Sequence, residues 1–343
     1  MNVVRFTVDG NYCLSAGDDR TVRLWNPHKD SPSISAAAAA SAVPRALLVK
    51  AYGGVHGYSI LDVAIASDNA RFVSAGVDKA LFVFDVVSGR LVRRIPGHTQ
   101  KINAVEMNKE ANVVLSASYD QTVSIWDLRS NVRDPIQTLR DFKDSVTSLA
   151  VTDNYIVATS IDGCLRTFDL RHGRLSVDSF GAESSLVCVR LTRDCKSALS
   201  MCFTAPLPGS TSALSQSQAQ LGATAPATLR LTDLSTGLQL ASFAGHVQTS
   251  YKSECGVCGD AGSVVAGSED GTVHQWDLQA ARRGSQPSSR AGLTAAPSPS
   301  SLSFSAHSHA VSSLSTHPTD PLLLSAGYDG YCKLWELSSL SKR

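Results

Sequence analysis

The stretch GHTQKINAVEMNKEANVVLSASYDQTVSIWDLRS (residues 97–130) decides the fold. Its apolar positions alternate, at Ile102, Val105 and Met107 and again at Val123 and Ile125, which is the period of a strand and not of a helix. A polar turn at Asp120 separates its second and third strands, and the third strand ends on Trp126. The same interval, an Asp followed by an aromatic residue closing an alternating strand, joins Asp19 to Trp25, Asp78 to Phe84, Asp162 to Phe168, Asp270 to Trp276 and Asp329 to Trp335. Recurrence at a period of roughly 42 residues is the mark of an all-β propeller made of four-stranded blades.

Alignment on the third strand gives seven units, because Val22 and Leu24, Leu81 and Val83, Leu229 and Leu231, and Cys332 and Leu334 repeat its alternation. The expected blades cover residues 1–52, 53–97, 98–140, 141–180, 181–244, 245–305 and 306–343 of one domain spanning 1–343. Insertions at 28–46, 205–227 and 279–303 are rich in Ser, Ala, Pro and Gln, offer little apolar surface to offset ordering entropy, and are expected to be disordered. The fifth unit departs furthest, with Thr232 at the Trp position and Pro226 at the Asp position. Met1 falls at the start of an inner strand and the chain stops soon after the third strand of the last unit. The seventh blade is therefore expected to lack its outer closing strand, leaving Tyr331 to Leu337 as an open edge, a liability that suggests a strand missing upstream of Met1.

The formal net charge of +1 draws the chain neither to nucleic acid nor to an anionic membrane, so no direct sequence-specific nucleic-acid binding is expected. No apolar run approaches the roughly 20 residues that span a bilayer, and a soluble intracellular protein without membrane partners is expected. The eight cysteines fall mostly at strand positions and read as core. Cys255-Gly256-Val257-Cys258 has no second CxxC to complete a zinc site and no βαβ context for redox chemistry, so neither metal nor cofactor is expected. Phosphate loops, dinucleotide fingerprints, metalloprotease motifs and nucleophile elbows are absent from the sequence, which argues against an enzyme.

Gly-His before the first strand, Asp in the second turn and Trp closing the third strand resemble WD repeats. That resemblance implies a hydrogen-bonded relay of His98, Ser116, Asp120 and Trp126 in the third blade, with Asp19 and Trp25, Asp270 and Trp276, and Asp329 and Trp335 as counterparts. A His, a Ser and an Asp also suggest a catalytic triad. Catalysis needs one such set, whereas here the parts recur blade after blade, so the structural role is favoured. Phe84 and Phe168 lack the indole donor, and their relays should be incomplete.

Propellers present partner surfaces on loops at their faces. One face is expected to carry Tyr58, Lys101 and Asp144 ahead of the inner strands, with Tyr119, Glu269 and Tyr328 beside the turn aspartates. Exposed tyrosines make good anchors, and Tyr58, Tyr119 and Tyr328 are expected to form a joint docking face. On the opposite face Trp126-Asp127-Leu128-Arg129 matches the W-D-x-R box of WD proteins that resemble ligase adaptors, and Asp169 and Arg171 repeat part of it in the fourth blade. The alternative function is thus a substrate receptor of a cullin-type ubiquitin ligase.

A narrower resemblance rests on VRFTVDGNYCL, TVRLWNP, HGYSILDVAIASDN, GVDKALFVFDVVSGRLVRRIPGH, KINAVEMNKEANVVLSAS, WDLRS with IQTL after it, and SEDGTVHQWDL. These segments are similar to the mitogen-activated protein kinase organizers, WD-repeat scaffolds also counted among spliceosome-associated proteins. The resemblance implies a non-enzymatic scaffold of cytoplasm and nucleus whose partners are proteins, splicing factors and/or kinase-cascade components, and which acts as a monomer within larger complexes.

Overall fold

In the third blade the alternating stretches become strands Ile102–Met107 (a), Val113–Ser118 (b), Val123–Asp127 (c) and Gln137–Leu139 (d), paired antiparallel in the order a-b-c-d. Val114, Ala117, Val123 and Trp126 are buried because both faces of each blade pack on a neighbour. The computed structural model describes residues 1–30, 45–130, 132–181, 184–204, 227–258, 262–278, 298–300 and 302–337. Its sheets form a seven-bladed all-β propeller, one blade per sheet.

Blades one, two, four and six repeat the four-stranded order. Blade five carries a fifth strand. Ser298–Pro299, inside a segment expected to be disordered, pairs in parallel with the outer strand Gln239–Ala244. Two other insertion limits also shift. Strand c of blade one runs Val22–Asp30 and, past a register shift between Asn26 and Asp30, still pairs Asp30 with Ala46, so residues 28–30 are strand. Leu302–Ser305 forms the outer strand of blade six, reaching back into the stretch assigned to the third insertion. Residues 31–44, 205–226 and 279–297, which hold the rest of the three insertions, lie outside the described residues, as does Pro226.

The core is a ring of clusters between adjacent blades. Val3, Leu14, Val22, Ile60, Phe72, Phe82 and Phe84 pack between blades one and two. Ala64, Val73, Leu81, Ile102, Val114 and Trp126 follow between two and three. Each such large side chain contributes about 1.5–3 kcal/mol by leaving water.

Among the described residues the seventh blade has three strands, Val311–Thr316, Leu322–Gly327 and Cys332–Glu336, and Tyr331 beside its outer edge is exposed. The first and seventh blades nonetheless close on each other through their inner strands. Ser313 and Ser315 accept the backbone N–H groups of Val4 and Phe6 at 3.2 and 3.0 Å, and the Ser312 hydroxyl donates to the Met1 carbonyl at 2.8 Å. Val4, Phe6, Cys13, Leu324 and Ala326 fill the space behind these bonds. A shared outer strand is therefore not the sole way this ring holds together.

Candidate functional site: relay frames, two loop faces and the channel

In the third blade the Trp126 indole, which can only donate, gives its N–H to Ser116 Oγ at 2.9 Å. The Ser116 hydroxyl then donates to His98 Nε2 at 2.7 Å, and His98 Nδ1–H donates to Asp120 Oδ2 at 2.9 Å. Burial raises the Asp120 carboxyl, but hydrogen bonds from Thr122 and His98 outweigh it and hold the group below the usual carboxylate range. Gly97 is required beside His98 because a Cβ there would collide with the Trp126 ring. The chain ties strands a, b and c to the loop before strand a, and every donor in it has an acceptor. It therefore works as a frame and leaves no hydroxyl free to act as a nucleophile.

The other blades keep this frame to different degrees. Blade seven repeats it whole, through Trp335, Ser325, His307 and Asp329. Blade two keeps Ser74, His56 and Asp78 at 2.7 and 2.8 Å and loses only the indole, Phe84 stacking instead on Phe72. Blade one keeps the Trp25 to Ser15 bond, while Asp19 pairs with Arg23. Blade four has Phe142 where His98 stands and Ala158 where Ser116 stands, and Arg166 grips Asp162 with both guanidinium nitrogens. Blade six is the exception among the tryptophan blades. Its strand-b residue is Ala266, so both ring nitrogens of buried His246 have no partner and the Trp276 indole donates to the Ala244 carbonyl. Asp270 turns instead to Thr272, whose hydroxyl lies 3.0 Å from His274 Nε2.

On the face of the loops preceding strand a, Tyr58 and Tyr119 are 63% and 50% exposed, and Lys101 lies over the Tyr119 ring. The ring packed on Tyr328 belongs to Tyr251, which sequence reasoning missed, at 5.1 Å between centroids. Glu269, expected to face a partner, accepts the N–H groups of Thr249, Ser250 and Tyr251 and the Thr249 hydroxyl. Its carboxylate thus sets the turn that presents Tyr251, because a short acceptor array beside three successive N–H groups fixes the backbone. Asp144 likewise serves its own loop, with Oδ1 accepting Ser145 N–H and its carbonyl accepting the Ser160 hydroxyl. Of the tyrosines on these loops only Tyr251 and Tyr328 are in ring contact among the described residues, while Tyr58 and Tyr119 are exposed on loops of blades two and three.

On the opposite face, Trp126 of the W-D-x-R box is buried in the relay, and Asp127 Oδ1 accepts the backbone N–H of Arg129 at 2.8 Å. Asp169 accepts Arg171 N–H at 2.9 Å in the same way. Only the guanidinium groups project, with 72% of the Arg129 side chain and 55% of the Arg171 side chain exposed. Cys255 and Cys258 are buried three residues apart on one strand and point to opposite sides, into separate clusters, so they cannot share one metal ion.

The central channel holds charges that sequence reasoning did not single out. Arg5 donates to Asp62 at 2.8 Å and to both oxygens of Glu254 at 2.7 and 2.8 Å. Arg190 reaches Glu254 at 3.1 Å, and Ser313 donates to it at 2.6 Å. Asp62 also accepts Val105 N–H from the next blade, so the cluster stitches inner strands to one another.

Propeller geometry and recurring Asp–Trp turns define a repeat-built interaction module. A family model described as WD domain, G-beta repeat matches residues 2–26, 89–127, 237–277 and 299–336. The matched segments contain all four tryptophans, and the blades they miss have Phe84, Phe168 or Thr232 at that position. The chain is 37% identical to WD repeat domain-containing protein 83 of Homo sapiens over 95% of its own length and 85% of that protein. It is 36% identical to the protein of that name from Rattus norvegicus with the same coverage. It is 24% identical to a WD repeat domain-containing protein 83 homolog of Dictyostelium discoideum over 98% of this chain and 95% of that one. The chain belongs to the WD-repeat family.

Proposed function

We propose that this chain is a non-catalytic scaffold of cytoplasm and nucleus that joins pre-mRNA splicing complexes, organises mitogen-activated protein kinase components, or both. The observation that carries the reading is the Tyr58, Tyr119 and Tyr251–Tyr328 surface, an exposed aromatic set on a rigid disc with no buried nucleophile left unengaged in the relays. The similarity to kinase-organizer sequences along most of the chain supports the choice of partners. Affinity purification of the tagged chain with mass spectrometry tests it. Splicing factors or kinases should co-purify, and their loss on the combined change Tyr58→Ala, Tyr119→Ala and Tyr328→Ala would place the contact on this face.

A second reading, substrate receptor of a cullin-type ubiquitin ligase, is favoured by one observation. Arg129 and Arg171 project from equivalent turns of adjacent blades. Recovery of cullin-adaptor subunits, abolished by Arg129→Ala, would select it over the first.

A further inference from the structure

One register position of strand a runs around the channel as Arg5, Ala64, Glu106, Ala150, Arg190, Gly256 and Ser315, each opposite the same point of its strand b. Large charged residues in blades one, three and five alternate with small ones. Two of the small ones, Ala64 and Ala150, line a cavity of about 410 Å³ at the ends of the inner strands, on the face where Arg129 and Arg171 project. Its walls include Val63, Ile65, Met107, Leu149, Ala150 and Val151.

The charges at this level are not matched in pairs. Arg5 is held by Asp62 and Glu254, and Arg190 by Glu254 and the Val189 carbonyl. Arg193, also in the wall, has its own interactions. Lys252 donates to the Asn103 carbonyl. Glu106 lines the cavity, yet among the described residues no hydrogen bond or ion pair reaches its carboxyl group. Burial pushes this carboxyl up to about 7, the pull of Arg190 being too weak to offset it. The Arg5 and Arg190 guanidiniums are thus taken up by Asp62 and Glu254, and the third carboxylate, Glu106, faces open space beside apolar walls.

We propose that this cavity takes the basic side chain of a partner polypeptide, its cationic head on Glu106 and its aliphatic stem along Leu149, Ala150 and Val151. A long stem with a charged tip suits a pocket that is apolar along its wall and anionic at one point. The inference stands apart from the choice of complexes above, since a failed pocket test leaves the purification result untouched.

The test uses the full chain and small mimics of the side chains, n-butylguanidinium and n-butylammonium, titrated calorimetrically against n-butanol, potassium chloride and inorganic phosphate. Both organic cations should bind better than n-butanol. Glu106→Gln, which keeps shape and removes charge, should weaken them by about tenfold or more, the size of a lost charge-assisted hydrogen bond. Ala150→Leu, which keeps the charge and fills the space, should weaken them similarly, while Glu110→Gln on the surface should not. Equal binding to wild type and Glu106→Gln would overturn the proposal. So would binding of phosphate in place of the cations, or displacement of the cations by potassium alone.

Discussion

Blades three and six carry the same visible pattern, Gly-His, Asp and Trp, yet only one of them builds the relay. In blade three Ser116 accepts from the indole and donates to His98. In blade six Ala266 can do neither, and the consequences spread: His246 is orphaned, Trp276 takes a backbone carbonyl, and Asp270 turns to Thr272. The strand-b hydroxyl is thus the keystone, because it alone is both acceptor and donor between two groups that cannot bond each other directly. Blade four shows the opposite adjustment. There both the imidazole and the hydroxyl are gone, and Arg166 serves Asp162 in their place, its guanidinium over Phe142.

Converting blade three into blade six is the severest test. Ser116→Ala should cost roughly 2–3 kcal/mol, since it leaves buried indole and imidazole groups unpaired. Asp270→Ala should cost well under half of that, because its partner Thr272 is on its own strand and reachable by water. Equal losses in chemical denaturation would break the comparison.

Acid should separate the blades next. Burial, reinforced by the nearby His274 charge, pushes His246 down to about 4. The unfolded chain takes up that proton near pH 6.5, so between 6.5 and 4 it binds more protons than the folded chain, and stability falls as pH drops through that window. A shift from 6.5 to about 4 corresponds to roughly 3 kcal/mol over that window, and His246→Phe should flatten this part of the pH profile. An unchanged profile would show that His246 is not held neutral.

The reciprocal repair should have a smaller effect. Ala266→Ser should gain up to about 1 kcal/mol by giving His246 and Trp276 a common partner. No gain would mean that the backbone of blade six cannot adopt the relay geometry. Smallest of all in stability should be the change Tyr58→Ala with Tyr251→Ala, both exposed, which should alter the melting temperature little while weakening partner capture. A large melting shift with normal capture would remove these residues from the docking surface.

The propeller was legible in the sequence because strand alternation and the Asp-to-aromatic interval are local signals that survive even where Trp becomes Phe84 or Phe168. The relay of blade three was legible through the resemblance to WD repeats, which implies its four members. Its failure in blade six was written in Ala266, but becomes visible only once the strand register, with Trp276 opposite Val264 as Trp126 is opposite Val114, puts Ala266 in the place of Ser116. Tyr251 escaped notice because its contact with Tyr328 joins loops far apart in the chain. Arg5 and Glu254 likewise lie 249 residues apart and meet only when the ring closes. Charges spaced one per inner strand look like ordinary strand polarity until they share a channel. The limits of the insertions were misread for another reason: composition reports apolar content, whereas Val22–Asp30 and Ser298–Pro299 are held by backbone pairing that does not depend on it.

The most direct measurement is a long-range nitrogen–proton spectrum of the histidine rings, recorded from pH 7.5 to 4 in wild type and Ala266→Ser. The keystone account predicts that His56, His98 and His307 each show a single Nδ1–H tautomer at neutral pH. His246 in wild type should show no such fixed tautomer and should stay neutral to about pH 4, and it should acquire the Nδ1–H tautomer in Ala266→Ser. A His246 that already shows the fixed tautomer in wild type, or that titrates near 6.5, would contradict the claim that the strand-b hydroxyl makes the relay.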